Sequence, residues 1–216
     1  MTTIGVLALQ GDFVEHGAVL RRLNVSVRQA RAGDELRSLD GLIIPGGEST
    51  TFCRLMQDFN LYGPLRALIE SGLPVWGTCA GLIVLAQRAP DLDFPTLDAL
   101  DIAVRRNAYG RQVDSFEADL PVPALNSANS PRPFHGVFIR APVVDDVGAG
   151  VEVLARLPAG RHGLPADAGS KGGSAVALRQ GPLLATSFHP ELTDDDRFHR
   201  YFLEIVRQQG RRSSPK

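Results

Sequence analysis

One of the two cysteines in the chain stands in a pattern that can do chemistry. Cys79 has Gly77 and Gly81 on either side, and it follows an apolar run and precedes a helix-forming segment. Flanking glycines permit the sharp strand-to-helix turn of a nucleophile elbow. The start of a helix also favours a thiolate over a thiol. The same pattern fits a small cysteine buried in a tight turn, so alone it leaves both readings open.

A second pattern supplies the base that such a thiol needs. His189 and Glu191 follow the apolar segment Leu183–Phe188, 110 residues after Cys79. In extended chain, residues i and i+2 project to the same side, so the carboxylate can orient the imidazole. The carboxyl ends of parallel strands line one crevice, which would bring Cys79 and His189 together. Alone, this pattern favours a turn histidine near a solvated glutamate, but with the elbow it predicts a Cys-His-Glu triad.

Acyl transfer also needs donors for the developing oxyanion. The stretch Pro45–Thr50 contains two consecutive glycines after a predicted strand, where the backbone can approach a ligand closely. The backbone N–H of Gly47 or its neighbour and that of Ala80 are the predicted oxyanion hole. A glycine pair after a strand is a weak signal, because many turns need one.

The other candidate residues indicate structural roles. Cys53 lies in a helical segment among apolar neighbours, which favours a buried structural thiol. The glycine pair at Gly46 and Gly47 forms no GxGxxG or Walker pattern, so nucleotide binding is not predicted. Four further histidines share no metal-ligand spacing, and neither a metal nor a cofactor is predicted; they are His16, His135, His162 and His199.

Composition narrows the classes of function. The 216 residues carry a formal net charge of −1, with 44% hydrophobic and 22% charged residues, as in an ordinary globular protein. This balance gives no reason to expect nucleic-acid or membrane partners. No apolar run reaches the roughly 18 residues of a membrane span, and the first residues lack a basic leader. Two cysteines without a CxxC pair favour a cytoplasmic setting.

The elements that would position these residues alternate along the first 90 residues. Continuous apolar runs predict strands buried on both faces, and 3.6-residue periodicity predicts helices between them. The predicted strands are Ile4–Leu9, Val25–Ala30, Gly41–Pro45 and Leu73–Thr78, and the predicted helices are Phe13–Leu23, one capped by Ser49 or Thr50, Tyr62–Glu70 and Ala80–Gln87. Val14, Ala18, Val19 and Leu23 are the predicted buried face of the first helix. Such alternation implies parallel strands.

The second half has short strands with little helix between them. These strands are Asp101–Val104, Ser115–Leu120, Gly136–Ala141, Val151–Leu157, Ala175–Arg179 and Leu183–Phe188, and an amphipathic helix over Asp194–Gln209 follows. The sequence therefore predicts a single α/β domain over residues 1–210, followed by a polar tail at 211–216. Its sheet is open, mostly parallel and flanked by helices, with an antiparallel extension. Gly160–Gly173 is predicted to be a flexible surface loop.

Taken together, these segments resemble the class I (triad) glutamine amidotransferases, and most closely the glutaminase subunits of pyridoxal 5′-phosphate synthases. The segments that carry the resemblance are GVLALQGDFVEH (5–16), GLIIPGGEST (41–50), VWGTCAGLI (75–83), VRRNAYGRQVDSFEADL (104–120), GVFIRAP (136–142) and TSFHPELTDD (186–195). They span most of the chain in order. RRNAYGRQVDSFE and LQGDF are far more specific than the triad alone.

The resemblance implies a glutaminase that takes L-glutamine and feeds ammonia to a synthase subunit within a large hetero-oligomer. It implies Cys79 as nucleophile with His189 and Glu191 completing the triad, and it places Gln10 toward the synthase contact and the ammonia exit. The implied glutamine-binding residues are Gly47, Glu48, Ser49, Arg106, Ile139 and Arg140, and either arginine suits the substrate carboxylate. The Gly160–Gly173 loop is longer than the family's usual connection, and it is expected to be tolerated surface variation.

Three other functions fit parts of the sequence. A γ-glutamyl hydrolase or a peptidase-like protein of the same fold would share the triad, but it would not be expected to share RRNAYGRQVDSFE and LQGDF. A subunit that has lost its activity would not need to keep Cys79, His189 and Glu191 together. A cofactor-binding Rossmann-type module comes last, because the chain has no phosphate loop.

Overall fold

The secondary structure follows the predicted alternation closely. The computed structural model describes residues 2–106, 115–126, 131–157 and 173–213. The strands are β1 (Thr3–Leu7), β2 (Ser26–Ala30), β3 (Gly41–Ile44), β4 (Val75–Thr78), β5 (Ala86–Arg88), β6 (Leu100–Arg105), β7 (Ser115–Leu120), β8 (Phe134–Ile139), β9 (Val143–Val147), β10 (Glu152–Leu157), β11 (Ser174–Gln180) and β12 (Leu183–Thr186). The α-helices are α1 (Phe13–Arg22), α2 (Ser49–Asp58), α3 (Tyr62–Glu70), α4 (Ala80–Leu85) and α5 (Arg197–Ser213), and Pro123–Leu125 and Pro190–Leu192 form single 3-10 turns.

Ten strands form one mixed sheet in the order β2-β1-β3-β4-β12-β11-β9-β6-β5, with β10 paired to β11. The first five strands of that order are parallel. Beyond β12 the pairings with β11, β9 and β10 are antiparallel, as is that of β6 with β9. Strands β7 and β8 form a separate antiparallel pair. The predicted parallel α/β sheet with an antiparallel extension is therefore confirmed.

The central strands are buried on both faces, which explains their continuous apolar runs. Ile43 of β3 belongs to a core cluster that includes residues of α1 and α5, together with Trp76. Its neighbours Leu42 and Ile44 belong to the cluster on the other side, with residues of α2, α3 and α4. Alternate residues of one strand thus face opposite helical layers. The result is a three-layer arrangement with the sheet in the middle.

The inward face of α1 differs from the prediction. Val14 is 52% exposed, whereas His16 is fully buried with Val19 and Leu20. Hydrophobicity alone assigned Val14 to the core, but a histidine takes an inward position because it has buried polar partners. The inward face therefore follows i, i+3 and i+4 from His16 rather than from Val14.

Several element ends also differ from the predicted ones. Glu48 caps α2, and neither Ser49 nor Thr50 does so. Helix α4 ends at Leu85 because the chain then enters β5, and α5 lies three to four residues later than predicted, at Arg197–Ser213. Strand β9 was not predicted, since two of its five residues are aspartates that obscure the apolar alternation.

Some predictions fall outside the described residues. These are the flexible loop at 160–173, of which only Gly173 is described, and the segment 107–114 within the RRNAYGRQVDSFE motif. The division into a domain at 1–210 and a tail at 211–216 stays a prediction. No helix among the described residues has both the length and the apolar character that a membrane crossing requires.

Candidate active site

Cys79 occupies a strained turn between β4 and α4. Its φ is +47° and its ψ is −100°, a backbone conformation that residues other than glycine rarely adopt. Its backbone N–H donates to Thr186 O at 2.8 Å. A Cβ on Gly77 would lie 2.5 Å from the carbonyl group of Gly81, and a Cβ on Gly81 would overlap the carbonyl oxygen of Ile44. The two flanking glycines are therefore required by close backbone approach. This is the nucleophile-elbow geometry that the sequence predicts.

The parallel pairing of β4 with β12 brings the second motif to this turn. Thr78 is in register with Thr186, so the residues that follow each strand emerge at the same edge of the sheet. Cys79 and His189 both line one cavity there, with a volume of about 260 Å³. The cavity is close to the small end of the roughly 300–1,000 Å³ range of ligand pockets, which suits a ligand the size of an amino acid.

His189 is held between two carboxylates. Its Nδ1 lies 2.9 Å from Glu191 Oε1 and 3.1 Å from Asp12 Oδ2. The side chain of Glu191 is fully buried, whereas that of Asp12 is 31% exposed and lines the cavity. The other ring nitrogen, Nε2, is buried and has no hydrogen-bond partner among the described residues. Since Nδ1 faces the carboxylates, Nε2 is the nitrogen left for Cys79.

The electrostatics of the site favour a charged imidazole. Burial lowers the pKa of His189, but the contacts of its Nδ1 with Asp12 and Glu191 and the nearby Cys79 sulfur outweigh it and raise the pKa to about 12. Burial raises the pKa of Glu191, and the interaction with His189 opposes that shift without cancelling it. His189 is therefore an imidazolium through neutral pH, and the buried carboxylate depends on its neighbours to stay ionised.

All six residues implied for substrate binding line this cavity. They are Gly47, Glu48, Ser49, Arg106, Ile139 and Arg140, and the remaining lining residues are Asp12, Ile83, Cys79 and His189. The cavity thus joins the ends of β1, β3, β4, β6 and β8 with the turn after β12. The parallel strands β1, β3, β4 and β12 direct their carboxyl ends to this edge, and β6 and β8 bring their ends to the cavity from antiparallel pairs.

An acidic and a basic side chain form one wall of the cavity. The carboxylate of Glu48 accepts hydrogen bonds from the backbone N–H groups of Thr50 at 2.9 Å and Thr51 at 2.7 Å. Burial raises the pKa of Glu48, but these bonds outweigh it and lower the pKa to about 2. Arg106 donates to Thr50 Oγ1 at 3.0 Å, and its Nη2 lies 3.6 Å from Glu48 Oε1. The wall therefore presents a fixed negative and a fixed positive group side by side.

A second wall of the cavity comes from the end of β8. Arg140 has a φ of +42° and an exposed side chain, and no ion pair engages it within the described parts of the chain. The carbonyl oxygen of Ile139 lies 3.8 Å from Cys79 Sγ. This segment thus contributes a second arginine to the lining of the cavity.

Family comparison agrees with this geometry. Residues 6–208 match the model of the SNO glutamine amidotransferase family. The chain belongs to that family. The resemblance drawn from the sequence is confirmed.

Similar proteins cover nearly the whole of this SNO-family chain. It is 54% identical over 208 residues to the pyridoxal 5′-phosphate synthase subunit PdxT of Kineococcus radiotolerans, with 95% of each chain covered. It is 51% identical over 209 residues to the subunit of the same name from Corynebacterium jeikeium, with 96% and 98% covered. A crystal structure described as a glutamine amidotransferase superposes with a TM-score of 0.81 at 47% identity, covering 94% and 98%.

Three residues predicted from the sequence have positions that leave their roles open. Gln10 donates through Nε2 to Glu48 O at 3.1 Å and accepts from Glu48 N at 3.3 Å, so it ties the end of β1 to the glycine-pair loop. Its role at a synthase contact and ammonia exit stays a prediction. Ala80 begins α4 and is buried, and Gly47 lines the cavity, but their action as oxyanion donors likewise stays a prediction.

Sequence reasoning missed Asp12 and His16. Asp12 follows a parallel strand at its carboxyl end, which is a signal that could have found it. The facing atoms of Asp12, His189 and Glu191 lie within 4.8 Å of one another, and the hydrogen bonds of the His189 ring to the two carboxylates explain this cluster without a metal. Nothing in the sequence pointed to His16, because its partners come from distant segments.

The second cysteine lies away from the cavity. Cys53 is fully buried in α2, and burial raises the pKa of its thiol. Its position agrees with the predicted structural role. Of the histidines for which no metal was predicted, His135 is exposed on β8, His16 and His199 are buried together, and His162 is outside the described residues.

Proposed function

We propose that this protein hydrolyses L-glutamine to glutamate and ammonia through Cys79, His189 and Glu191, and that the ammonia serves a pyridoxal 5′-phosphate synthase. The observation that carries the proposal is that Cys79 and His189 line the same amino-acid-sized cavity. Glu191 Oε1 lies within hydrogen-bond distance of His189 Nδ1, at 2.9 Å. Family membership and the names of the relatives support the substrate and the assembly.

The first half of the reaction forms a thioester. The Cys79 thiolate adds to the γ-carboxamide carbon, and the negative charge moves to the carbonyl oxygen, which the N–H groups near Gly47 and Ala80 would stabilise. The His189 imidazolium then gives its Nε2 proton to the amide nitrogen. The C–N bond breaks, ammonia leaves, and a glutamyl thioester remains on Cys79.

The second half restores the enzyme. His189, now neutral, takes a proton from a water molecule as the water adds to the thioester carbon. The C–S bond breaks, glutamate is released, and the thiolate and imidazolium are regenerated. Glu191 stays ionised throughout, orienting the ring and stabilising its charged form.

The two walls of the cavity suit the two charged groups of a free amino acid. The carboxylate of Glu48 is positioned to bind an α-ammonium group. The guanidinium groups of Arg106 and Arg140 match an α-carboxylate, for which arginine offers paired donors. A γ-glutamyl peptide would place bulk beyond the γ-carbonyl, so free glutamine is the proposed substrate.

The proposed partner is the synthase subunit, in a hetero-oligomer, with Gln10 on the side from which ammonia leaves. The names of the relatives carry this part of the proposal, because PdxT is described in them as a subunit of pyridoxal 5′-phosphate synthase. We propose that the glutaminase reaches full activity only in that complex.

The experiment that tests the proposal measures glutamate release from glutamine with and without the synthase subunit. Hydrolysis that the synthase stimulates, and that Cys79→Ala abolishes in a folded protein, is expected. Turnover of γ-glutamyl peptides in preference to glutamine would instead indicate a γ-glutamyl hydrolase. A glutamine-analogue electrophile should label Cys79, and failure to label it would contradict the thioester mechanism.

A further inference from the structure

A buried pair of histidines lies directly behind the proposed triad. His16 of α1 and His199 of α5 are both fully buried, and His16 Nδ1 lies 3.0 Å from His199 Nε2. Trp76 packs against both rings, with centroid distances of 5.5 and 4.9 Å. Buried polar side chains are normally hydrogen-bonded. The contacts of the two rings therefore indicate what the histidine pair does.

The other nitrogen of His16 reaches both halves of the site. His16 Nε2 lies 3.2 Å from Thr78 Oγ1 and 3.3 Å from Glu191 Oε2. Thr78 precedes Cys79, and Glu191 orients His189. The contact with Glu191 is not aligned as a hydrogen bond here, and that oxygen has no aligned partner among the described residues. His16 Nε2 thus lies within 3.3 Å of the second oxygen of this buried carboxylate.

The proton positions follow from burial and pairing. Burial lowers the pKa of both rings, to about 3 for His199, so each ring is neutral and carries one N–H. If His16 donated from Nδ1, then His199 would carry its proton on Nδ1, which is buried and has no partner among the described residues. In the opposite arrangement His199 Nδ1 is an unprotonated nitrogen and no N–H is buried without an acceptor: His199 donates to His16, and His16 Nε2–H faces Glu191 and Thr78.

We propose that His16, its tautomer set by His199, is a positioning residue that holds Glu191 ionised and aimed at His189. The inference rests on the proposed function, since Glu191 acts there through His189. A buried carboxylate with one unbonded oxygen would otherwise rotate or take up a proton, because burial disfavours its charge. Either change would withdraw support from the imidazolium that pairs with the Cys79 thiolate.

The charged and titratable groups around the pair are few. Glu191 and His189 face His16 from the turn after β12, and Asp12 acts on Glu191 from the end of β1. Asp196 and Arg22 act on His199 from the start of α5 and the end of α1. A change in the pH response of the site must therefore be compared with a control that leaves all of these groups in place.

A pair of substitutions separates positioning from packing. In His16→Gln the amide nitrogen can take the place of Nε2 and donate to Glu191, whereas in His16→Asn the shorter amide reaches only the Nδ1 position. We expect His16→Asn to lower kcat for glutamine about 10-fold, with KM within about twofold, and His16→Gln to recover most of the loss. His135→Asn, on the exposed strand β8, is the matched control and should change nothing.

Alkylation of Cys79 by iodoacetamide, followed peptide by peptide against pH, provides a readout independent of glutamine turnover. Weaker support of the imidazolium should slow the alkylation of Cys79 in His16→Asn but not in His16→Gln. Equal behaviour of the two variants in both assays, whether equal loss or no change, overturns the proposal. If His16→Asn does not fold, His199→Gln, which keeps the donor to His16, and His199→Leu, which removes it, decide in the same way. Wild-type protein that alkylates as expected but does not hydrolyse glutamine would refute the proposed function and not the positioning.

Discussion

The two cysteines of this chain are similarly buried but differ in backbone conformation and in their neighbours. Cys53 is fully buried and Cys79 is 5% exposed, so burial does not distinguish them. Cys53 lies within a regular helix, where burial raises the pKa of its thiol. Cys79 occupies a left-handed turn at a cavity, beside an imidazole that stays charged. The comparison teaches that backbone geometry and a neighbouring cation, not burial, distinguish the proposed nucleophile from the core thiol.

Removing the nucleophile should have the largest effect. Cys79→Ala is expected to lower glutamine hydrolysis by at least about 10⁴-fold, because no other group can form the thioester. Its thermal midpoint should stay close to that of the wild type. Glutamate release and thermal unfolding measure the two quantities. Residual turnover within tenfold of the wild type would break the comparison between the cysteines.

The second largest effect should come from Glu191, and it should exceed the effect of Asp12, the other carboxylate at His189. Glu191→Gln is expected to lower kcat on the order of 10³-fold, since the buried partner of Nδ1 is lost. Asp12→Asn should lower it less than about tenfold, because that carboxylate is 31% exposed and water screens it. Steady-state kinetics of the two variants test this order. The reverse order would make Asp12, and not Glu191, the third member of the triad.

Chemical reactivity should separate the thiols by about two orders of magnitude. Iodoacetamide should alkylate Cys79 roughly 100-fold faster than Cys53 at pH 7, because only a thiolate reacts. Cys79 lines the cavity beside the charged ring of His189, so the reagent can reach it there. Cys53, whose pKa is raised, should be labelled only at alkaline pH or on unfolding. Peptide mass spectrometry after timed alkylation gives both rates.

The smallest effect should come from the core thiol. Cys53→Ala is expected to destabilise the protein by about 1 kcal/mol, which lowers the thermal midpoint by roughly 2–4 °C in a chain of this size. The kcat for glutamine should not change. Calorimetry and the hydrolysis assay check the two expectations. A loss of activity without a loss of stability would show that Cys53 acts at the site after all.

The features that the sequence predicted are those carried by local patterns. The alternation of apolar runs and helical periodicity predicted the elements from β1 through α4. The glycines around Cys79 predicted its turn, because backbone atoms approach them closely. The encounter of Cys79 with His189 was also predictable, since parallel strands end at one edge.

The missed features depend on partners that are distant in the chain. His16 appears polar and therefore outward, and only its contact with His199, 183 residues away, makes its buried position intelligible. Asp12 acts on His189 through a contact that the sheet brings about, and periodicity carries no information about it. Glu48 was named as a substrate-binding residue, but its capping of α2 was missed. Val14 was assigned to the core for the same reason, because a hydrophobic pattern cannot register a buried polar pair.

The pairing of β4 with β12 has a consequence for the nascent chain during its synthesis. The two strands lie far apart in the sequence, with Val75–Thr78 matched to Leu183–Thr186. During synthesis, Cys79 leaves the ribosome long before the residues that give it an imidazole and a closed cavity. The nascent protein therefore carries an ordinary thiol. Its reactivity arises only when the last third of the chain has been made and the sheet is joined.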